Sequence, residues 1–306
     1  MSVESGFGII SPGEPTVPPT TETPFEPSRR RFRVTPVGRL LIPLALIGLI
    51  GLLAPILPIP GPNQQNLLHN LQPPIGFGGT WSHPLGTDQL GRDELSRLIW
   101  GARMTFFIGI TAVALAGTVG ILLGIGAGYL RGSFDVVVSR VVDAQLALPF
   151  LLLALAILAS GQSITALVLV LAISGWAQFA RILRGDTIVL RGRPFVTGLR
   201  ASGMSSARVM VRHIVPNVLS SIVVIATLEI GTMILGEGAL SFLGLGVEEP
   251  NVSWGLMLAE GRNYLSSAWW IVVIPGIAIT VVVLLSNLAG DALRLRYDPK
   301  LKTSRS

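Results

Sequence analysis

Residues 104–129 read MTFFIGITAVALAGTVGILLGIGAGY, an apolar run that contains no charged residue. A helix needs about twenty apolar residues to cross the hydrocarbon core of a bilayer, and this run is longer. Gly120, Gly124 and Gly128 follow one another at four-residue spacing, which places them on one helical face. Small residues at that spacing allow a neighbouring helix to approach closely. The run therefore predicts a membrane-spanning helix that packs tightly against another one.

Further apolar runs on both sides of this stretch predict five more spans. Half of the residues are hydrophobic and only 13% are charged, so a soluble domain of this length could not cover its apolar surface. The sequence therefore predicts an all-α integral membrane protein with six transmembrane helices. The predicted spans are residues 38–60, 104–129, 136–159, 164–180, 215–235 and 270–288.

Arginine and lysine are concentrated where the chain leaves the predicted spans on one side. Residues 29–39 hold five arginines, and residues 294–305 hold three arginines and two lysines. Because positive charge near span ends resists translocation, the N- and C-termini are both predicted to be cytoplasmic. Residues 1–37 are predicted to be a disordered tail that ends in the basic cluster, and residues 293–306 a second cytoplasmic tail. This placement explains the net charge of +6, so nucleic-acid binding is not predicted.

Residues 181–213 carry seven arginines against a single acid, Asp186. The predicted spans before and after them place this segment on the cytoplasmic side. It is too long and too strongly patterned for a simple turn. We therefore interpret it as a cytoplasmic docking element, in preference to a basic loop that only sets the orientation of the chain.

Residues 61–103 are predicted to form an outer loop between the first two spans. Near its end an apolar stripe recurs with helical spacing, and the charged residues Arg92, Asp93 and Arg103 lie off that stripe. This pattern predicts an amphipathic helix that rests at the outer membrane interface. The stripe consists of Leu95, Leu98, Ile99 and Ala102.

The string HPLGTDQLGRD at residues 83–93 resembles a signature of the permease subunits of ATP-binding-cassette importers for peptides and nickel. The resemblance extends over about residues 38–300 and is closest to the second, shorter permease of dipeptide and oligopeptide systems. It implies a type I importer permease fold, with residues 104–292 as the permease core. The further matching strings are Ala54-Pro55, Pro73-Pro74, residues 143–149, 237–246, 253–255 and 287–291, and Asp298-Pro299.

The resemblance also implies a set of partners and a location. The partners would be a second permease subunit, two ATP-binding subunits that bind ATP and magnesium, and an extracytoplasmic solute-binding protein. The chain would be a multi-pass protein in the lipid of the cytoplasmic (inner) membrane of a bacterium or archaeon. Peptides are the implied solute class, while nickel and other small solutes stay open.

In the resembled family, the segment that corresponds to residues 181–213 carries a short cytoplasmic helix that docks on the ATPase. That helix starts with Glu-Ala-Ala, has a glycine six residues on and is followed by His-x-x-Pro. Gly203, His213 and Pro216 fit this pattern here, as does the following Asn217, but residues 197–199 replace Glu-Ala-Ala. The residues expected to couple to the ATPase are Thr197, Gly198, Leu199, Arg200, Ala201, Gly203, His213 and Pro216.

The sequence predicts that this chain does not hydrolyse ATP itself. A phosphate-binding P-loop needs Gly-Lys-Ser/Thr, and neither Lys300 nor Lys302 follows a glycine. Cysteine is absent, and three histidines in loops do not suggest a metal site. No serine, histidine and carboxylate pattern indicates a catalytic triad. We therefore expect no catalytic, cofactor or metal site in this chain and assign ATP hydrolysis to partner subunits.

Three acids fall within or at the ends of predicted spans and are candidates for a translocation path: Asp143, Glu229 and Glu237. An acid in a span is costly unless it faces water or a partner. For Asp143 and Glu237, which lie near span ends, structural hydrogen bonding or packing is the favoured interpretation. Glu229 lies deeper, and a water-filled path and a buried ion pair are equally compatible with its position.

Two functional hypotheses follow from these observations. The first is the permease subunit of an ATP-binding-cassette importer, which couples to ATPases through a cytoplasmic helix. The alternative is an ion- or proton-coupled secondary transporter that uses Glu229 as its cation site. That class often contains internal repeats, which this sequence lacks, and it would leave the basic segment 181–213 unexplained.

Overall fold

The computed structural model describes residues 37–159 and 161–297. The predicted N-terminal tail, apart from its last residue, and the C-terminal tail beyond residue 297 lie outside these ranges. So do Asp298-Pro299 of the matching strings and the two lysines. The predictions for those residues therefore stay predictions.

The regular structure of the described residues is helical, because apolar runs of this length satisfy their own backbone hydrogen bonds only as helices. Short 3₁₀ segments lie at Ala54–Ile56, Leu67–His69 and Arg262–Tyr264, and a π-helical turn lies at Met210–Ile214. In chain order the α-helices are α1 (Gly38–Leu53), α2 (Glu94–Leu130), α3 (Gly132–Ala147), α4 (Phe150–Leu158), α5 (Ile164–Arg191), α6 (Pro194–Ala201), α7 (Ser206–Val209), α8 (Val215–Phe242), α9 (Trp254–Gly261) and α10 (Trp270–Tyr297).

Five helical stretches of the described chain are long and apolar enough to cross a membrane, and a bent pair brings the number to six. The bent pair is α3 and α4, which meet at an angle of 90°. Leu148, between them, has an extended backbone with ψ of 128°. The ring of Pro149 disfavours helical conformation in the residue before it, which explains the break. The predicted all-α fold with six spans is confirmed, with the third span broken in two.

Contacts at the two ends of the helices show that α1 runs opposite to α10 and that α5 runs opposite to α8. Val37, before α1, packs with Leu293 near the end of α10. At the opposite end the side chain of Gln162, before α5, donates a hydrogen bond of 3.1 Å to the carbonyl oxygen of Gly244, after α8. We call the end that carries residues 192–205 the arginine end, and the end that carries residues 57–93 and 243–269 the loop end.

The closest helix packing in the chain is between α2 and α5, and it depends on the three predicted glycines. A Cβ atom at Gly124 would lie 2.6 Å from the carbonyl oxygen of Ala180, and one at Gly128 would lie 2.7 Å from that of Arg184. One at Gly120 would lie 2.6 Å from the carbonyl oxygen of Trp176. The two backbones therefore touch where the glycines lie, and the predicted packing role is confirmed.

The remaining core forms around this pair. Between α2, α5 and α8 lies the largest apolar cluster, which includes the fully buried side chains of Ile108, Leu171 and Ile214. In α1 only 17% of the apolar 18-residue stretch is buried inside the chain, whereas in α5 the buried share is 56%. Helix α5 is therefore central, and α1 lies at the periphery with most of its apolar surface uncovered in this chain.

The prediction of a separate amphipathic helix within residues 61–103 is wrong. Residues 94–103 are the first turns of α2, which continues without a break for 37 residues, or about 55 Å. Glu94, Ser96 and Arg97 are buried, whereas three members of the apolar stripe are only half-buried. Ser96 and Arg97 turn inward because they bind polar groups elsewhere in the chain. The pattern of residues 94–103 alone does not reveal those partners.

Two of the predicted boundaries at the arginine end and one at the loop end also move. Helix α5 continues to Arg191, eleven residues beyond the predicted span, and α10 continues to Tyr297. Helix α8 continues to Phe242. The first charged residues mark the point at which a helix leaves the hydrocarbon core of the membrane. The helix itself continues beyond that point in α5 and α10. The segment 181–213 is therefore mainly helical, and its irregular part is confined to residues 192–193 and 202–205.

At the loop end, residues far apart in the sequence are joined by a buried ion-pair cluster of Asp88, Arg92, Arg97 and Glu260. Arg97 donates to Asp88 at 2.8 Å and to Glu260 at 2.6 Å, and Arg92 donates to the same two acids. The side chains of both arginines and of Asp88 are only 1% exposed. Although burial lowers the pKa of Arg92, Asp88 and Glu260 raise it by more, so its guanidinium stays charged.

Acids of the last outer segment, residues 243–269, bind this cluster. Glu260 has 19% of its side chain exposed and binds both arginines, while the more exposed Glu249 binds Arg92. Removal of one partner from a buried pair costs about 3–5 kcal/mol, because a charge is left without compensation. The cluster therefore fixes the start of α2 to α9.

The packing of α2 on α5 predicts opposite effects for two matched substitutions. Gly124→Ala should lower the free energy of unfolding by about 1–3 kcal/mol, because its methyl group meets backbone atoms of α5. Gly185→Ala, on α5, should be neutral or stabilising by up to about 1 kcal/mol, since no atom lies within 4 Å of its Cβ position. Thermal unfolding of the full-length chain in detergent measures both. Equal midpoints for the two variants would contradict the close contact.

Candidate functional site

The chain between α5 and α8 forms a compact segment, residues 192–214, which we call the connecting segment. Its helix α6 begins with Pro194, whose fixed φ suits the first helical position. Val196, Val209 and Ile214 are completely buried and join the core between α2, α5 and α8. Buried apolar side chains at these three positions fix the connecting segment to the helix bundle, while most of its other side chains are exposed.

Gly203 ends α6 with a left-handed backbone. Its φ is +80°, its N–H donates to the carbonyl oxygen of Arg200 at 3.1 Å, and the N–H of Met204 donates to that of Leu199 at 3.2 Å. These two bonds form the Schellman motif, in which glycine is favoured because it adopts positive φ without steric cost. No other atom lies within 4 Å of its Cβ position. Gly203 is therefore required for its backbone conformation and not for close approach to a neighbour.

The exposed face of α6 contains the residues that replace Glu-Ala-Ala. Thr197 and Gly198 are exposed, and Leu199 is half-buried against the core. The hydroxyl of Thr197 donates weakly, at 3.4 Å, to the carbonyl oxygen of Arg193. Nothing lies within 4 Å of the Cβ position of Gly198, which reduces helix propensity by about 1 kcal/mol relative to Ala. Helix α6 thus offers a short, weakly stabilised surface without an acidic side chain.

His213 and Pro216 lie at the junction between α7 and α8. His213 is in the π-helical turn Met210–Ile214, and Pro216 is in the first turn of α8. Proline lacks an N–H, and its ring clashes with a helical carbonyl four residues earlier, which the wider π turn relieves. The side chain of Asn217 donates a 2.7 Å hydrogen bond to the carbonyl oxygen of His213. The predicted residues therefore form two groups, an exposed helix with its glycine turn and a π-helical joint.

Glu229 lies in α8 and is buried to 9% exposure. Among residues 37–159 and 161–297 its carboxylate has neither a hydrogen-bond donor nor a basic partner. Its Oε2 atom lies 3.6 Å from the Cβ position of Gly175, so it faces α5 where α5 has no side chain. A buried ion pair within the described chain is thus excluded for Glu229.

Glu237 has a different environment, at the loop end of α8. It is completely buried, and its Oε1 atom accepts 2.7 Å hydrogen bonds from the hydroxyls of Ser241 and Ser253. Ser253 also caps α9 by accepting from the N–H of Leu256 at 3.1 Å. Glu237 joins the end of α8 to the start of α9, a geometry that favours structural hydrogen bonding over contact with a solute.

Asp143 is exposed in this chain and lies on α3. It accepts a 3.1 Å hydrogen bond from Arg181 on α5, in a pair whose side chains are 62% and 54% exposed. Eight residues earlier, Asp135 accepts two hydrogen bonds from Arg184, at 2.5 and 3.1 Å. Two of the arginines assigned from the sequence to a loop therefore pair with α3. Asp135 and Asp143, eight residues apart, are the sequence signal for this arrangement.

Within the described ranges, no group of three histidine, aspartate or glutamate side chains is placed to hold a metal ion. The features that the structure offers for function are the connecting segment, the unpaired Glu229 of α8 and the ion pairs between α3 and α5.

Comparison with known proteins identifies the family. The model of the family described as "binding-protein-dependent transport system inner membrane component" matches residues 120–303, more than half of the chain. The matched region contains α5, the connecting segment, α8 and α10.

Named relatives align over most of the chain. A dipeptide transport system permease protein of Alkalihalophilus pseudofirmus is 38% identical over 310 residues, covering 99% of this chain and 100% of the relative. A di/tripeptide transport system permease protein of Pseudomonas aeruginosa is 42% identical and covers 88% and 89%. A glutathione transport system permease protein of Escherichia coli O6:K15:H31 is 39% identical and covers 74% and 76%.

The alignment with the Alkalihalophilus pseudofirmus relative includes the spans and the connecting segment, and five helical stretches and one bent pair of the described chain have the length and composition of membrane spans. The resemblance inferred from the sequence strings is therefore confirmed. The chain belongs to the family of binding-protein-dependent transport system inner membrane components, and it is a multi-pass protein of the cytoplasmic membrane.

Proposed function

We propose that this chain is the permease subunit of an ATP-binding-cassette importer for peptides. The family supports the role of membrane component, and the relatives named for dipeptides, di/tripeptides and glutathione support peptides as the solute class. The observation that carries the proposal is the connecting segment. It presents a short exposed helix that is attached to the two central helices, α5 and α8, by buried anchors.

In this proposal α6 is the surface on which an ATPase subunit acts. Thr197, Gly198, Arg200 and Ala201 form the exposed side, while Val196 and Leu199 attach it to the core. Movement of α6 would be transmitted through Gly203 and the π-helical joint at His213 and Pro216 to the start of α8. The partners would be a second permease, two ATP-binding subunits that bind ATP and magnesium, and an extracytoplasmic binding protein. This orientation places the arginine end in the cytoplasm, as positive charge favours.

Glu229 is the residue that we assign to the translocation path. It lacks a partner among the described residues and lies beside Gly175 of α5, where the methyl group of Met233 occupies the space that the glycine leaves. An acid in that position favours water or the amino group of a solute as its neighbour. Glu237 and Asp143 have hydrogen-bond partners of their own, and we assign them to helix packing.

The alternative, a secondary transporter that uses Glu229 as a proton or cation site, is not favoured by the family or by the relatives. The two mechanisms differ in their energy source. Peptide uptake into vesicles that contain the assembled transporter should require ATP hydrolysis and continue when an uncoupler collapses the proton gradient. The purified chain alone should not hydrolyse ATP. Uptake that follows the proton gradient and ignores ATP would contradict the importer proposal.

Two substitutions at one position test the role of the glycine turn in coupling. Gly203→Ala forces a side chain into positive φ at a cost of about 1–2 kcal/mol, which should loosen the end of α6. It should reduce uptake per ATP hydrolysed or weaken association with the ATPases. Gly203→Asn should retain most activity, because asparagine tolerates this conformation better than alanine. Uptake and ATPase assays on the purified complex measure both variants.

Neither change adds or removes charge or touches a span, so membrane insertion should be unaffected. If both variants transport like the wild type and keep their ATPases, the segment affects only orientation and the coupling role is wrong.

Glu229→Gln and Glu237→Gln should have separate effects. Glu229→Gln preserves shape and removes the ionisable carboxyl of an acid with no partner in the described chain, so peptide uptake should fall at least about tenfold with little change in thermal unfolding. Glu237→Gln places an amide in a fully buried site, beside hydroxyls that already donate to Glu237, so the unfolding midpoint should fall. Normal uptake by Glu229→Gln would remove this residue from the path.

A further inference from the structure

A cavity of about 240 Å³ lies at the arginine end and is lined by three arginines from three different elements. Arg131 lies at the joint between α2 and α3, Arg191 is the last residue of α5, and Arg200 is on α6. Ile188 and Gly192 complete the lining. Three segments that are separate in the sequence therefore place their arginines around one cavity.

The three arginines have no carboxylate partner in the described part of the chain, where no ion pair or side-chain hydrogen bond involves them. Asp135 is close enough to Arg131 for electrostatic attraction, but Arg184 binds both of its oxygens. The lining itself contains no acid. The positive charge of the cavity is thus uncompensated within residues 37–159 and 161–297.

Arg131 holds a backbone conformation that residues with side chains rarely adopt. Its φ is +66° and its ψ is −164°, in a region used almost only by glycine. The next residue, Gly132, also has positive φ, at +65°. A large charged residue in such a conformation points to a role for its side chain, because glycine would fit the backbone better.

Arg191 has an unused donor inside the fold. Its guanidinium lies 5.9 Å from the centre of the Tyr129 ring, while its buried Nε has no hydrogen-bond acceptor among the described residues. The hydroxyl of Tyr129 is also buried and without a partner in those ranges. Buried donors are normally satisfied, so this Nε and this hydroxyl are polar groups near the cavity that the described chain leaves without a partner.

We propose that Arg131, Arg191 and Arg200 bind the phosphate group of an anionic phospholipid. Planar guanidinium groups match the geometry of phosphate oxygens, and basic pockets at the ends of spanning helices suit lipid headgroups. The surface beside the cavity is apolar and uncovered: Leu130 is 50% exposed, and Val189 on α5 is 63% exposed. Acyl chains can lie on that surface while the headgroup enters the cavity. Free phosphate shares the chemistry of the headgroup but makes no use of the apolar surface.

Since Arg200 belongs to α6, a bound headgroup would connect the end of α5 to that helix. An effect of anionic lipid on ATPase coupling rests on the function proposed above. The binding of the lipid does not depend on that function, and it can be measured without a transport assay.

Native mass spectrometry of the full-length chain in detergent tests the proposal, with phosphatidylglycerol and phosphatidylcholine as probes. The wild type should retain phosphatidylglycerol, and Arg131→Gly and Arg191→Gln should each weaken that retention by about tenfold. Phosphatidylcholine retention should be weak and unchanged. The control Arg140→Gln removes an exposed arginine of α3 that lies outside the cavity, and it should bind like the wild type.

Arg131→Gly also separates binding from folding. Glycine fits the backbone at this position, so the thermal unfolding midpoint should stay equal or rise while lipid retention falls. Competition by millimolar inorganic phosphate that removes the lipid completely would support the phosphate site and identify free phosphate as a second occupant. Equal phosphatidylglycerol retention by the wild type and by the variants would overturn the proposal. If the same variants instead lose ATPase subunits at unchanged lipid retention, the arginines bind a carboxylate of a partner protein and the lipid proposal is wrong.

Discussion

The contact between the backbones of α2 and α5 is the constraint on which the rest of the structure depends. Apolar burial cannot bring helices together inside a membrane, where lipid is as apolar as the side chains, so close approach has to supply the attraction. Three glycines on one face of α2 make that approach possible. With α5 held in this way, its far end positions the connecting segment, and α8 completes the core around both helices. The connecting segment is therefore anchored to the most closely packed part of the chain.

The sequence predicts those features of the fold that depend on neighbouring residues better than those that depend on contacts between distant residues. Apolar runs and the spacing of Gly120, Gly124 and Gly128 need only the residues themselves, and the structure confirms both. From the apolar stripe near the start of α2, the apolar side of the helix is expected to be buried, but the side with Arg97 is buried instead. The reason is that the carboxylate of Glu260, more than 150 residues away, binds Arg97. Arginines near residue 181 mark the edge of the apolar layer, but α5 continues through them, since a helix in water keeps its own hydrogen bonds.

For the candidate site, the resemblance predicts the position of α6 and its glycine turn, and the structure supplies the physical reason for Gly203. The missing acid at Thr197 and the free Cβ position of Gly198 leave a helix of low intrinsic stability. Such a helix gains more from a partner surface than a stable helix would. The environment of Glu229 was not predictable, because the sequence does not show whether an arginine or an apolar side chain lies beside a buried acid.

The buried ion-pair cluster has a mechanical consequence. It joins the beginning of α2 to α9, and Glu237 joins α9 to the end of α8, so these three elements form a braced unit at the loop end. Bending within that unit would separate buried charges. The arginine end contains instead a glycine turn, a π-helical turn and the positive-φ connection at Arg131. In the proposed function, a displacement applied at the arginine end would therefore turn whole helices about the braced loop end without separating its buried charges.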